Sequence, residues 1–168
     1  MALGLALAAA APAAAEPPSG TDEVFGAMLI LSDRPEEFLE AWDRPAAPGY
    51  RPVVRRVARV RPGDEITALV LFVRCQPDPA GRCDARVDFT VLAPDGSPWA
   101  RHPDQGLWDA PPPRGGNLQL GQARLAFRIG PGDPLGEWAV EAQLRDRVSG
   151  RDLVLREALQ VAVDPVPR

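Results

Sequence analysis

The one histidine of the chain, His102, limits what acid–base chemistry is possible. Hydrolysis by a hydroxyl nucleophile needs an imidazole within hydrogen-bond reach of it. His102 stands in a polar, proline-rich stretch, and the nearest hydroxyl in sequence is Ser97. No G-x-S-x-G element occurs, so the strained turn that exposes a nucleophilic serine is missing. Carboxylates offer a second route. Asp64 with Glu65, Asp84 with Asp88, and Asp133 would serve as an acid and base pair or as calcium ligands. Their spacing lacks the alternating oxygens of a calcium loop, and acidic residues at strand ends are ordinarily solvated turns. Gly130, Pro131 and Gly132 with Gly136 do not make a phosphate cradle either, because the spacing is not G-x-G-x-x-G and a strand follows where a helix N-terminus is needed. No cofactor, metal or catalytic residue is implied.

Cys75 and Cys83 are the only cysteines, and they bracket Gln76-Pro77-Asp78-Pro79-Ala80-Gly81-Arg82, a run of turn formers between two strand-like segments. A disulfide there closes a loop of about nine residues and stabilises by about 2.6 kcal/mol on the chain-entropy view. The alternatives, a redox pair or two metal ligands, suffer from a spacing that is not C-x-x-C and from the single histidine.

Two surface features remain. Arg51, Arg55, Arg56, Arg59 and Arg61 fall within eleven residues. They are read first as the wet face of an edge strand, where charge discourages edge-to-edge association, and second as a contact for anionic envelope components. Residues 97–117 (SPWARHPDQGLWDAPPPRGGN) form a long connection with no evident element of its own, and loops of that length usually bind something, cover an edge or lack order. Trp99, His102, Leu107 and Trp108 lie in it. The tryptophans are expected to fold back as a cap on the domain; failing that, the four residues are the candidate partner-binding set, or the two indoles stack on sugar rings.

The elements that must hold these residues are mostly strands. Val24–Leu31 is a near-continuous apolar run of strand length, consistent with burial on both faces. One short helix follows: Ser32 and Asp33 offer a cap, Pro35 suits the first turn, Glu36 and Glu37 favour the positive helix end, and Phe38, Leu39 and Trp42 share a face. It is too short to stand alone and must pack on the sheet. From Pro52 onward only strands are predicted: Val53–Val60, Ile66–Cys75, Arg86–Leu92 with Val87, Phe89 and Val91 on one face, a segment carrying Leu125, Phe127 and Ile129, another carrying Trp138, Val140, Ala142 and Leu144, and Leu153–Val163. Ala93-Pro94-Asp95-Gly96 reads as a turn, with proline presetting φ and glycine accepting a positive one.

At 168 residues the chain has room for one domain, and its 15 glycines and 20 prolines suit short strands joined by turns. About seven strands with one brief helix favour an antiparallel sandwich over a parallel sheet, which would need helices between strands. The net charge of −4 argues against a nucleic-acid partner.

Residues 1–15 (MALGLALAAAAPAAA) are uncharged and apolar and end in Ala13-Ala14-Ala15, as in a secretory signal peptide cleaved near Ala15, although the usual positive charges at its start are absent. The run is shorter than the roughly 20 residues that span a bilayer, so no transmembrane anchor is expected. Residues 16–23 read as a disordered leader, 24–163 as the domain, and 164–168 as a tail.

Asp133-Pro134-Leu135-Gly136-Glu137-Trp138-Ala139-Val140, then Leu144-Arg145-Asp146, Ser149-Gly150 and the last strand, resemble the closing hairpin of bacterial secreted immunoglobulin-like modules; Val60-Arg61-Pro62-Gly63-Asp64 before a long apolar strand does so too. The resemblance covers about half the domain and implies an immunoglobulin-like antiparallel β-sandwich, with no catalytic residues attached. The resulting expectation is a periplasmic or secreted, non-enzymatic accessory module that binds an envelope protein. The alternatives are a carbohydrate-binding module using the loop tryptophans and an enzyme with an unrecognised carboxylate pair.

Overall fold

The computed structural model describes residues 24–43, 55–113 and 117–163; the signal and leader segments (1–23), Arg51 and the tail (164–168) lie outside them. Along the chain come β1 (Gly26–Ser32), α1 (Pro35–Asp43), β2 (Arg59–Val60), β3 (Glu65–Val73), β4 (Ala85–Leu92), β5 (Pro98–Trp108), β6 (Gln119–Arg128), β7 (Gly136–Asp146) and β8 (Arg151–Val161). They form two facing sheets, one of order β1-β3-β6 and one of order β2-β8-β7-β4-β5, in which only β2 and β8 pair in parallel. The protein is an all-β sandwich with one short helix near its N-terminal end.

The apolar runs of β1 and β3 follow from their position. In β3, Ile66, Ala68, Val70 and Phe72 enter the core between the sheets, while Leu69 and Leu71 join Ile30 and Leu120 beneath Phe38 of α1. Both faces are dry, so the strand needs no alternation. Just ahead of α1, Ser32 Oγ accepts from the Arg34 amide at 3.1 Å, and within the helix Phe38 stacks on Trp42 with ring centroids 5.8 Å apart. With about two and a half turns, α1 depends on this apolar contact for its stability.

Among the described residues the five-stranded sheet is covered on its inner side only, and β4 alternates accordingly: Val87, Phe89 and Val91 are buried, and Arg86, Asp88 and Thr90 are half-buried on the outer side. Trp138, Val140, Ala142 and Leu144 of β7 complete that core face. The predicted turn at 93–96 is present, with Gly96 at φ 81° and its amide bonded to Ala93 O at 2.9 Å.

Two expectations need correction. Residues 97–117 are not a bare loop, because Pro98–Trp108 form β5, antiparallel to β4. The sequence conceals this strand because it is an edge, wet over nearly its whole length, and broken by three register shifts and a left-handed residue, Asp104 at φ 52°. Proline, bulges and charge are how edges are kept from pairing further. Within the predicted strand Val53–Val60, the described part is strand only at Arg59–Val60. The Val57 amide donates to Leu31 O of one sheet, whereas Ala58 O and Val60 O accept from Gln160 and Ala162 of the other. The segment crosses between sheets and cannot pair along its length with either.

Candidate functional site

The four residues singled out in 97–117 all belong to β5 or its end, and the fold gives them different roles. Leu107 is fully buried in the core, so it is withdrawn as a contact for a partner. Its neighbour Trp108 is half-buried, with its ring 5.6 Å from that of Phe72 and its Nε1 donating to Pro111 O at 3.1 Å. That residue is the expected cap, closing one end of the sandwich.

Trp99 sits at the opposite end of β5. Its ring meets the buried Trp138 edge-on at 5.7 Å and 83°, and its Nε1 donates to Asp133 Oδ1 at 3.2 Å. Asp133 is itself fixed, since Oδ2 accepts from the Gly130 amide at 2.7 Å. The indole therefore has a defined orientation while remaining 41% exposed. His102, also exposed, stands opposite Phe89 in the register. In the register Trp108 stands opposite Ala85 and Trp99 falls between the partners of Val91 and Leu92, a span of roughly 20 Å at 3.3 Å per residue of β4, so the two indoles cannot form one stacking platform.

Cys75 and Cys83 form the expected disulfide, with Cα atoms 5.9 Å apart. The loop it closes is tied to the end of β5: Cys83 N donates to Ala110 O at 3.0 Å, and the Arg82 guanidinium donates to Asp109 O. It is tied also to the β7–β8 hairpin through Asp146, a buried carboxylate that accepts from the Gln76 amide and the Ser149 hydroxyl, both at 2.8 Å. Nothing in the sequence marks Asp146 beyond its place ahead of a Ser-Gly turn.

Arg55, Arg56, Arg59 and Arg61 are exposed. Arg59 lies on the edge strand β2, and Arg56 reaches Glu157 at 3.3 Å. Charge on a sheet edge is thus what the segment supplies, and Arg51 lies outside the described residues.

The candidate carboxylates are each engaged. Asp64 accepts from the Arg61 amide, Glu65 pairs with Arg128, and Asp84 pairs with Arg86 and Arg147. Asp88 takes Arg145 Nη2 and the Asp104 amide, each at 2.6 Å. The hydrogen bond that Arg86 donates to Asp84 raises the arginine's pKa above its ordinary value, and further ion pairs, Arg145 with Asp88 and Arg147 with Asp84 and Asp104, stud the outer side of β4, β5 and β7.

Fold and surface together define the class: a two-sheet β-sandwich backed by one helix on its narrower sheet, with its broader sheet open. No family model and no curated protein matches the chain. Among solved structures it is similar to an alkylpurine DNA glycosylase of Pseudomonas fluorescens bound to DNA containing an abasic site analog (15% identity, TM-score 0.41, 63% of this chain and 28% of that one). It is similar also to a Niemann-Pick type C2 protein from the Japanese carpenter ant (9%, 0.43, 82% and 91%) and to a family 123 glycoside hydrolase from Clostridium perfringens (8%, 0.46, 83% and 27%). The chain spans little more than a quarter of the first and third of these. Likeness at this level carries no functional argument.

Proposed function

We propose that this chain is an exported, non-enzymatic, immunoglobulin-like module that recognises a protein partner of the cell envelope through the exposed edge strand β5. The observation that carries the reading is Trp99, a large apolar side chain held in a fixed orientation by Trp138 and Asp133 and left 41% exposed at a sheet edge. Oriented, partly exposed tryptophans are the residues that most often anchor interfaces. His102 extends the exposed edge beside it.

Export is supported by the Cys75–Cys83 disulfide, since such bonds persist in oxidising compartments. It is supported also by the signal-like residues 1–15. Among the described residues no helix is long and apolar enough to cross a membrane. The immunoglobulin-like reading is supported by strand order: β1, β3 and β6 in one sheet face β8, β7, β4 and β5 in the other, with the closing β7–β8 hairpin beside β4. One departure is that the disulfide is local, joining the end of β3 to the start of β4, and does not bridge the sheets.

The test is retention of envelope proteins on immobilised residues 16–168, compared with a Trp99→Ala/His102→Ala form of matched thermal stability. Loss of one specific protein in the altered form supports the edge as the site. Equal retention by both forms removes β5 from the reading.

A further inference from the structure

We infer that the open face of the five-stranded sheet carries a second site, separate from the Trp99 edge, that binds a carboxylate-bearing sugar. Register places Arg101, Thr90, Glu141 and Arg156 in one row across β5, β4, β7 and β8, and Asp88, Gln143 and Val154 in the next. Thr90 is short and stands between the long side chains of Arg101 and Glu141. The result is a basin of about 440 Å³ lined by Asp88, Thr90, Arg101, Glu141, Gln143 and Val154, among others.

The charges in and around the basin decide what it would take. Asp88 is neutralised by Arg145, and Glu141 by Arg156, each at 2.6 Å. Arg101 makes no ion pair among the described residues, so it presents the one uncompensated charge facing the basin, a cation suited to a carboxylate. The Thr90 hydroxyl and the Gln143 amide have no side-chain partner among the described residues and supply both donors and acceptors. Arg156 occupies one of the four acceptor positions of the Glu141 carboxylate, and the others suit hydroxyl donors. Val154, 67% exposed, offers an apolar wall for the C–H face of a ring.

Two competing ligand classes fit less well. A phosphate dianion would meet the lone pairs of Asp88 and Glu141 with only Arg101 to hold it. A protein surface would have to strip water from two locked ion pairs, at a cost that such pairs rarely return, and would find no aromatic anchor here. A monoanionic ring that also carries hydroxyls satisfies the cation, the two neutral polar groups and the remaining carboxylate acceptors together. With one charge-assisted contact in an open basin, the expected Kd is about 1 mM.

The experiment is a titration of the whole ¹⁵N-labelled chain, followed through its amide resonances. The probes are D-glucuronate, D-galacturonate and N-acetylneuraminate, with glucose, galactose, acetate and an acidic peptide as comparisons, each to about 20 mM. The expected result is saturable movement at Thr90, Arg101 and Gln143 with at least one sugar acid and none with the neutral sugars. Arg101→Gln should weaken it at least tenfold, whereas Trp99→Ala, which tests the edge site, should leave it unchanged. Each of four results overturns the inference: no saturable movement with any sugar acid, equal movement with a neutral sugar, equal movement with acetate or the peptide, or affinity weakened less than tenfold in a folded Arg101→Gln protein.

Discussion

Leu107 of β5 rests on the bare backbone of Gly121 in β6: a Cβ built at Gly121 would stand 2.3 Å from Leu107 Cδ1 and 3.1 Å from Val70 O. This contact joins the edge strand of one sheet to the edge strand of the other and closes the sandwich on that side. A methyl group there has a side chain to push aside and a main-chain oxygen that cannot move easily. Gly121→Ala should therefore cost about 1–3 kcal/mol, lowering the melting temperature by roughly 3–10 °C. Leu107→Ala should cost about 2–5 kcal/mol. Because the two positions share one space, the double variant should be less destabilised than the sum, measured by urea unfolding. Strict additivity would show that they do not touch.

The disulfide should act mainly on the unfolded chain. Replacing both Cys75 and Cys83 by serine is expected to remove about 2–3 kcal/mol. Both positions are almost fully buried, so the added hydroxyls contribute to the loss unless they find partners. The urea midpoint should fall, and the Cys83 amide, bonded to Ala110 O, should exchange faster with solvent. An unchanged midpoint would mean that the Asp146 contacts alone hold the loop.

Asp146 gathers the Gln76 amide, the Val148 and Ser149 amides and the Ser149 hydroxyl onto one buried carboxylate. Asp146→Ala takes the acceptor from several donors at once; because Gln76, Val148 and Ser149 are exposed and their groups can turn to water, the change should cost about 1–2 kcal/mol, the order of one or two net hydrogen bonds. Asp146→Asn keeps one acceptor oxygen and should fall between the alanine variant and the native protein in a thermal melt. If the alanine variant melts with the native protein, the carboxylate is not the tie between the disulfide loop and the β7–β8 hairpin.

Asp95 in the β4–β5 turn has its carboxyl held below the ordinary carboxylate range by the Ser97 hydroxyl and, next, the Ser97 amide. A depressed folded-state pKa stabilises the turn at pH values above the unfolded-state value. That contribution disappears as the pH falls through the lower folded-state value. The group is fully exposed, so the effect should be read in its own titration rather than in global stability. The Asp95 carboxyl carbon should titrate at lower pH than a free aspartate, and Ser97→Ala should move the midpoint up. A midpoint unmoved by Ser97→Ala would remove the hydroxyl as the cause.

Much of the sandwich was legible from residue order. The alternation of β4 and β7 reported which of their faces is dry. The unbroken apolar run of β3 reported that both of its faces are covered, although only the packed helix shows that Leu69 and Leu71 answer to Phe38 while Ile66, Val70 and Phe72 answer to the opposite sheet. The first turn of α1, the Gly96 turn and the cysteine pair were legible too, because each depends on interactions within a few residues.

The candidate site was harder to read, for a physical reason. Periodicity arises when one side of a segment meets water and the other meets a core, and β5 is an edge strand wet along nearly its whole length. Its sequence therefore carries no alternation, and its strand character comes from hydrogen bonds to β4 that no local pattern encodes. The same holds side chain by side chain. Leu107, Trp108 and Trp99 are all large apolar residues in one polar stretch; Gly121, Phe72 and the Trp138–Asp133 pair, distant in the chain, make the first a core residue, the second a half-buried cap and the third an oriented, part-exposed ring. The basin between Arg101, Thr90, Glu141 and Gln143 exists only through the register of four strands. By itself the sequence determined which segments would be strands with a dry side, where they turn and where they are stapled. Tertiary structure alone decided which strand lies beside which, because pairing is a relation between distant segments and leaves no trace in the composition of either one.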